Sequence, residues 1–293
     1  MHSKFRTNLT MPNNDYLRYY PTKLRPYQNL LENNAKEFIR IKLKEVSVNT
    51  TLTQSKVGGL PYFPLSMEYP HHPESGDAMI LLAQFNFEEI PPLEGFPTTG
   101  ILQFFISPDD EYGFNEGGHQ VIYHPKLDDT KLISDFSFLT EMLKREKLDY
   151  EFFSPLTLNN QETYALEFIK DQGIVNVQDI QFEQLLGEAS RDLVSGEGRK
   201  EVWDFLHKKG KADGHKLGGY AFFTQDDPRR EDLEKYGQYQ LLFQLDSEIV
   251  HKPNGQRWDK VLWGDVGIGN FFIHPDDLKN LDFSRTLYYW DCG

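Results

Sequence analysis

Four polar side chains stand inside apolar stretches, and their types could support binding chemistry. Lys56 begins "KVGGLPYF" and Lys216 begins "KLGGYAFF", while Gln84 and Gln244 interrupt "LLAQFN" and "LLFQLD". A buried glutamine must satisfy four hydrogen-bonding positions. The simpler interpretation is that each glutamine pairs with nearby backbone, for example with the Gly-Gly loop of its own half. The alternative is a cleft between two halves of the chain, with a lysine and a glutamine from each side and Asp265 as a fifth candidate.

A repeated Pro-Asp-Asp is the next candidate, because adjacent carboxylates could act as a catalytic pair. It ends the phrases "GILQFFISPDD" at 100–110 and "GIGNFFIHPDD" at 267–277. Proline suits the first position of a helix, and aspartates there meet the positive end of the helix dipole. Two adjacent aspartates at a helix start also diverge in direction. We therefore predict a short helix for the second copy and, because Gly113 follows closely, only a turn for the first.

The remaining motifs that suggest phosphate or metal binding fit known sites poorly. "GDVGIG" at 264–269 lies between two apparent strands, which favours a hairpin turn at Asp265–Gly267 over a dinucleotide loop that opens a helix. The acidic stretch 109–116 misplaces the glycine and the last glutamate of an EF-hand.

Histidine and cysteine positions favour neither a metal site nor a nucleophile. The histidines lack helical spacing with a third ligand nearby, and they are His71, His72, His119 and His124. The single cysteine, Cys292, adjoins the C-terminus. We predict no catalytic residue, no metal and no cofactor.

Ordered matches between the two halves indicate an ancient duplication. The glutamine-containing strands, the Lys-x-Gly-Gly segments and the Pro-Asp-Asp phrases recur in the same order. We predict a partly disordered leader at 1–23, then halves at 24–150 and 151–293 that pack as one globular unit. The glycines expected to form structural loops are Gly58, Gly59, Gly218, Gly219, Gly264 and Gly267.

Hydrophobic periodicity predicts the strands and helices that carry these residues. Ile39, Ile41 and Leu43 alternate with charged residues, which predicts a strand over 39–46. Further strands are predicted at 78–87, 100–106, 119–124, 164–168, 218–225, 239–246, 260–273 and 286–291. Helices are predicted within 24–37, 128–147, 177–188 and 198–210. The class is α+β, with mostly antiparallel sheet units and helices grouped mid-chain and near the N-terminus.

Charge and composition narrow the classes of partner. The 293 residues carry a formal net charge of −14, which argues against binding to nucleic acid or to an anionic membrane. One cysteine excludes a disulfide framework. No apolar run is long enough to span a membrane, and the N-terminus lacks a secretory apolar region, so we expect cytoplasmic residence.

Several blocks together resemble the YwqG family, a bacterial group of unknown function. They are "KVGGLPYFP", "LLAQFNF", "GILQFFI", "HKLGGYAFFTQDDPR" and "WGDVGIGNFFIHPDDL", and the resemblance runs from about residue 24 to the end. It implies an α+β fold with a duplicated sheet-rich unit, a cytoplasmic location and a bacterial source. It implies no catalytic residues. Ala221 stands where the family's second copy commonly has proline.

The resulting functional expectation is a non-catalytic binding or interaction module with a protein partner. One alternative is an immunity-like protein that neutralises a basic partner, because an acidic surface attracts cations. The other is a small-molecule binder or hydrolase that uses the cleft between the halves. The sequence does not indicate the oligomeric state.

Overall fold

One large antiparallel sheet organises the chain. The computed structural model describes residues 19–47, 50–128, 131–145, 154–156, 163–251 and 255–293. Its strands are β1 (Lys36–Ser47), β2 (Lys56–Val57), β3 (Ile80–Asn86), β4 (Ile101–Ile106), β5 (His119–His124), β6 (Thr163–Gly173), β7 (His215–Gly218), β8 (Gln240–Asp246), β9 (Glu248–His251), β10 (Arg257–Val261), β11 (Ile268–Ile273) and β12 (Thr286–Asp291). Ten of them form a sheet in the order β12-β11-β8-β7-β1-β6-β2-β3-β4-β5, and β9 pairs with β10 separately.

Seven α-helices accompany the sheet within the described ranges. They are α1 (Gln28–Asn33), α2 (Ser137–Arg145), α3 (Ile180–Leu186), α4 (Ala189–Leu193), α5 (Arg199–Gly210), α6 (Leu233–Tyr236) and α7 (Pro275–Lys279). None of the described helices is long and apolar enough to cross a membrane.

The long strands β1 and β6 form the centre of the sheet. Ile39, Ile41 and Leu43 of β1 are buried, as the alternation predicted, while Lys42 and Lys44 meet Glu167 of β6. The neighbours mirror each other outward from this pair: β6-β2-β3-β4-β5 on one side and β1-β7-β8-β11-β12 on the other. Strands from both predicted halves therefore lie in one continuous sheet.

The sheet curls until its two wings face each other. Phe243 of β8 lies 4.9 Å from Phe85 of β3 and 4.8 Å from Phe104 of β4, measured between ring centroids. The edge strands approach as well, with His119 of β5 5.3 Å from Tyr288 of β12. Each such aromatic pair contributes about 0.5–1.5 kcal/mol beyond its buried area. The result is a mixed α and β fold with a nearly closed, barrel-like sheet.

A second apolar cluster lies between the central helices and the N-terminal residues. Tyr20 is buried against Phe205 of α5, with ring centroids 4.6 Å apart. It belongs to the predicted leader, whose residues 1–18 lie outside the described residues.

The helix predicted over 128–147 begins later than expected. Residues 131–133 pair instead with the chain at 63–65, because Leu65 N–H donates to Lys131 O at 2.9 Å and Ile133 N–H donates to Phe63 O at 2.9 Å. Asp135 then accepts from Ser137 N–H at 2.9 Å, and α2 starts there. Residues 129–130 and 146–147 lie outside the description.

The strand predicted over 218–225 is wrong, because β7 ends at Gly218. Side chains, rather than a neighbouring strand, bond the backbone that follows. The bonds join Ala221 to Asp179 and Asn176, Phe222 to Gln244 and Asn270, and Thr224 and Gln225 to Asp291. The apolar side chains of this segment are buried all the same, so its hydrophobic pattern resembled that of a buried strand.

The predicted hairpin at Asp265–Gly267 is also wrong. The chain does turn there, since Gly267 N–H donates to Trp263 O at 2.7 Å. However, β10 before the turn pairs with β9, and β11 after it pairs with β8 and β12. The predicted strand 260–273 is therefore two strands in different sheets.

Candidate functional site

Gln84 lies fully buried in β3 and bonds to three backbone groups. Its Oε1 accepts from Tyr62 N–H at 2.8 Å, and its Nε2 donates to Leu52 O at 2.7 Å and Gln54 O at 2.9 Å. Tyr62 follows the Gly-Gly loop of the same half. The glutamine thus holds two irregular segments, one at Leu52–Gln54 and one at Tyr62, against the sheet by hydrogen bonds.

Gln244 does the same in β8. Its Oε1 accepts from Phe222 N–H at 2.9 Å, and its Nε2 donates to Ala212 O at 3.0 Å and Gly214 O at 2.7 Å. The prediction that each glutamine pairs with nearby backbone is confirmed. Gln103 and Asn270 complete the match, because they donate to the carbonyls of Tyr62 and Phe222.

Lys56 and Lys216 lie beside these glutamines and are almost completely buried. Lys56 Nζ donates to Thr51 O at 3.0 Å, and Lys216 Nζ donates to Ala212 O at 2.7 Å. Lys216 Nζ also lies 5.5 Å from the ring centroid of Phe38. Burial disfavours the ammonium form, so the pKa falls to about 8 for Lys56 and about 7 for Lys216.

The two lysine–glutamine pairs do not share a cleft. They lie on β2/β3 and β7/β8, and the central strands β1 and β6 separate β2 from β7. Asp265 is exposed on the turn before β11, and none of its described contacts reaches either pair. A binding role for these five residues stays a prediction, while their geometry fits support of the fold.

The predicted structural glycines serve two purposes. Gly58, Gly59, Gly218 and Gly219 have φ of 71–77°, a region that other residues rarely adopt. Gly264 has a φ of 48°. At Gly267 a Cβ atom would lie 1.7 Å from Asp291 O, so close approach to β12 excludes any side chain.

The Pro-Asp-Asp phrases are structural in both copies. The second forms α7, where His274 Nδ1 accepts from Asp276 N–H at 3.2 Å and Asp277 pairs with Arg285. The first forms turns, where Asp109 Oδ1 accepts from Glu111 N–H at 3.0 Å. The predicted helix and the predicted turn are both confirmed.

A buried ion cluster forms around Arg229, and the sequence did not predict it. Arg229 is 0% exposed, and its guanidinium donates to Asp227 Oδ1 at 2.9 Å, Asp227 Oδ2 at 2.5 Å, Asp179 Oδ1 at 2.9 Å and Tyr239 O at 2.7 Å. The sequence offered only the run "DDPRR" at 226–230. It could not show that Asp179, far away in the chain, completes the cluster.

The described histidines do not form a common metal site. His124 is buried, its Nε2 lies 2.8 Å from Gln103 Oε1, and burial lowers its pKa to about 4. His72 Nδ1 accepts from Glu74 N–H and Ser75 N–H. In the part of the chain that the structure describes, no three histidine, cysteine, aspartate or glutamate residues are arranged to hold a metal ion.

A groove runs along the line where the curled sheet fails to close. It has a volume of about 420 Å³, and we call it the seam groove; its lining is Met67, Glu68, His119, Gln120, Val121, Ile122, Tyr123, Leu281, Asp282, Phe283, Ser284 and Thr286. Strand β5 forms one wall, and the segment leading into β12 forms the other. His119 Nε2 lies 3.4 Å from Thr286 O, and Tyr123 lies 5.4 Å from Phe283 between centroids, which marks the two ends.

The buried glutamines allow a direct test of their role. Gln244→Leu should lower the free energy of unfolding by about 2–3 kcal/mol, because it leaves Phe222 N–H buried without its acceptor. Urea unfolding would measure this cost. Gln240→Leu, at the half-buried start of the same strand, is the control and should change stability by less than about 0.5 kcal/mol. Equal costs for the two variants would contradict the assigned role.

Comparison with known proteins identifies the chain only at the level of a family. No curated protein matches it. The sequence profile of the family described as Domain of unknown function (DUF1963) matches residues 55–292. That match spans the paired Lys-x-Gly-Gly segments, the buried glutamines, the ion cluster and both walls of the seam groove. The chain therefore belongs to the DUF1963 family.

Proposed function

We propose that this protein is a non-catalytic interaction module that binds an extended segment of another protein in the seam groove. The observation that carries the proposal is the outer edge of β5, which pairs with no other described strand. Such an edge presents unpaired N–H and C=O groups that a further strand can bond.

The hydrogen-bond alternation of the sheet tells which groups face the groove. Ser107 N–H donates to Gly118 O at 2.7 Å, just before β5 begins. In an antiparallel pair, bonded and non-bonded positions alternate. Gln120 and Ile122 therefore bond to β4, and the backbone groups of Val121 and Tyr123 point away from it into the groove.

The groove also exposes apolar side chains. Met67 and Leu281 both line the groove, and each is 41% exposed. Free backbone groups provide affinity without sequence preference, and the apolar walls provide contact for alternate side chains of a bound strand. Both features suit an extended peptide better than a compact metabolite.

Other interpretations from the sequence stay open as proposals. The mirrored strand order and matching glutamine contacts support the inferred duplication, and the acidic charge supports an immunity-like role against a basic partner. Membership of the YwqG group within DUF1963, a bacterial source and cytoplasmic residence stay predictions. The cleft hypothesis has less support, because its lysines and glutamines are buried and bonded to backbone.

Peptide selection followed by amide exchange tests the proposal. Peptides selected from a random library on the full chain should slow hydrogen exchange at Val121 and Tyr123 N–H. Exchange at Gln120 and Ile122 should change little, since β4 already holds those amides. Protection elsewhere, or a selection that enriches no peptide, would refute strand addition at β5.

A pair of surface variants provides a second readout. Met67→Ser should weaken the selected peptide by about tenfold, the loss expected from removing one apolar contact of the groove wall. Leu65→Ser, at a residue 63% exposed outside the groove lining, should leave affinity unchanged. Equal effects from both variants would argue against the groove.

A further inference from the structure

The seam groove carries negative charge and no described cation in its lining. Glu68 and Asp282, which both line the groove, are exposed carboxylates. Glu68 forms no ion pair with a described residue. Asp282 Oδ1 accepts from Ser284 N–H at 3.0 Å and from Ser284 Oγ–H at 2.6 Å, which holds its carboxylate in place.

The neighbouring basic groups offset this charge only in part. Arg285 lies between Ser284 and Thr286 of the lining and pairs with Asp277 of α7. The bonds from Ser284 and the charge of Arg285 lower the pKa of Asp282, so this single arginine is shared by two carboxylates, and Glu68 has none among the described residues. His119 lies at the groove end with Nε2 near Thr286 O, and burial lowers its pKa, which disfavours the charged ring. The groove therefore presents two carboxylates to whatever occupies it.

We propose that the segment bound in the seam groove carries lysine or arginine, whose charge lies against Glu68 and Asp282. This inference rests on the proposed function and adds the chemistry of the partner. The whole chain supports it, because a net charge of −14 attracts basic segments over long range and speeds their association. A neutral segment would gain no electrostatic attraction from these carboxylates, and an acidic segment would be repelled by them.

Charge reversal at Glu68 tests the inference. The probes are the tightest selected peptide and its analogue with lysine or arginine replaced by glutamate. Glu68→Lys should weaken the basic peptide by about tenfold and strengthen the acidic analogue, because one nearby charge changes sign. Glu197→Lys makes the same charge change on an exposed loop outside the groove, and it should alter neither affinity by more than about twofold.

The possible results separate the two proposals. If the selected peptides lack basic residues, or if Glu68→Lys and Glu197→Lys have equal effects, the charge inference is wrong. Val121 and Tyr123 protection would then still support strand addition by a neutral segment. If those amides are not protected, the proposed function itself fails. A dimer in sedimentation whose Val121 and Tyr123 N–H are already protected without peptide would mean that a second copy of the chain occupies the edge, which also overturns the inference.

Discussion

Arg229→Met is expected to lower the free energy of unfolding by about 3–5 kcal/mol. The variant leaves the carboxylates of Asp179 and Asp227, which are 1% and 0% exposed, without their shared counter-charge. Tyr239 O loses a donor as well. An uncompensated charge in a low-dielectric interior costs far more than an ion pair gains at a surface, so this substitution should be among the most damaging in the chain.

The adjacent arginine supplies a matched control. Arg230 pairs with Glu183 at 2.7 Å, but its side chain is 32% exposed and that of Glu183 is 54% exposed. Arg230→Met should cost less than about 1 kcal/mol. Urea unfolding of both variants at pH 7 gives the comparison. Similar losses for the two substitutions would mean that burial of the cluster does not decide its energetics.

Lys216→Met is expected to stabilise the protein by about 1–3 kcal/mol at pH 7. The fold holds this lysine with a pKa of about 7, whereas the unfolded chain restores the ordinary value of 10.5. Folding at neutral pH therefore loses free energy, because the lysine must either be buried with its charge or release its proton. Methionine avoids both costs, and Ala212 O keeps its bond from Gln244.

The sign of the pH dependence follows from the lowered pKa. Between about pH 7 and 10.5 the unfolded state binds more protons at this site, so stability of the natural protein rises with pH there. This gain in stability is complete above the pKa of the unfolded chain, 10.5, and is lost as the pH falls through the folded pKa of about 7. Lys216→Met should flatten the stability curve over this window.

A surface lysine separates this effect from general charge effects. Lys42 on β1 has a side chain 55% exposed, so Lys42→Met should leave the pH profile parallel to that of the natural protein. The measurement is urea unfolding at pH values from neutral to alkaline. A Lys216→Met profile that stays parallel to the natural one would contradict the buried, easily deprotonated state.

Local patterns in the sequence determined much of the fold. The alternation of apolar and charged residues predicted the strand at Ile39–Leu43, and dense apolar runs predicted β3, β4 and β8. The Pro-Asp-Asp phrases predicted a helix in one copy and a turn in the other. The buried glutamines were identified as polar residues within apolar strands, and their bonds to backbone followed from the need to satisfy four hydrogen-bonding positions. These features depend on residues that are close together in the chain, so they can be predicted from the sequence.

Contacts between residues far apart in the chain depend on how the sheet and helices pack. Sequence periodicity could not show that β1 and β6 would separate Lys56 from Lys216, that Asp179 would join Arg229, or that side chains would bond the backbone after Gly218. Nor could it show that the sheet curls until β5 faces the segment before β12. Hydrophobic patterns specify that a face is buried and not what covers it, so the seam groove arises from the way the sheet curls.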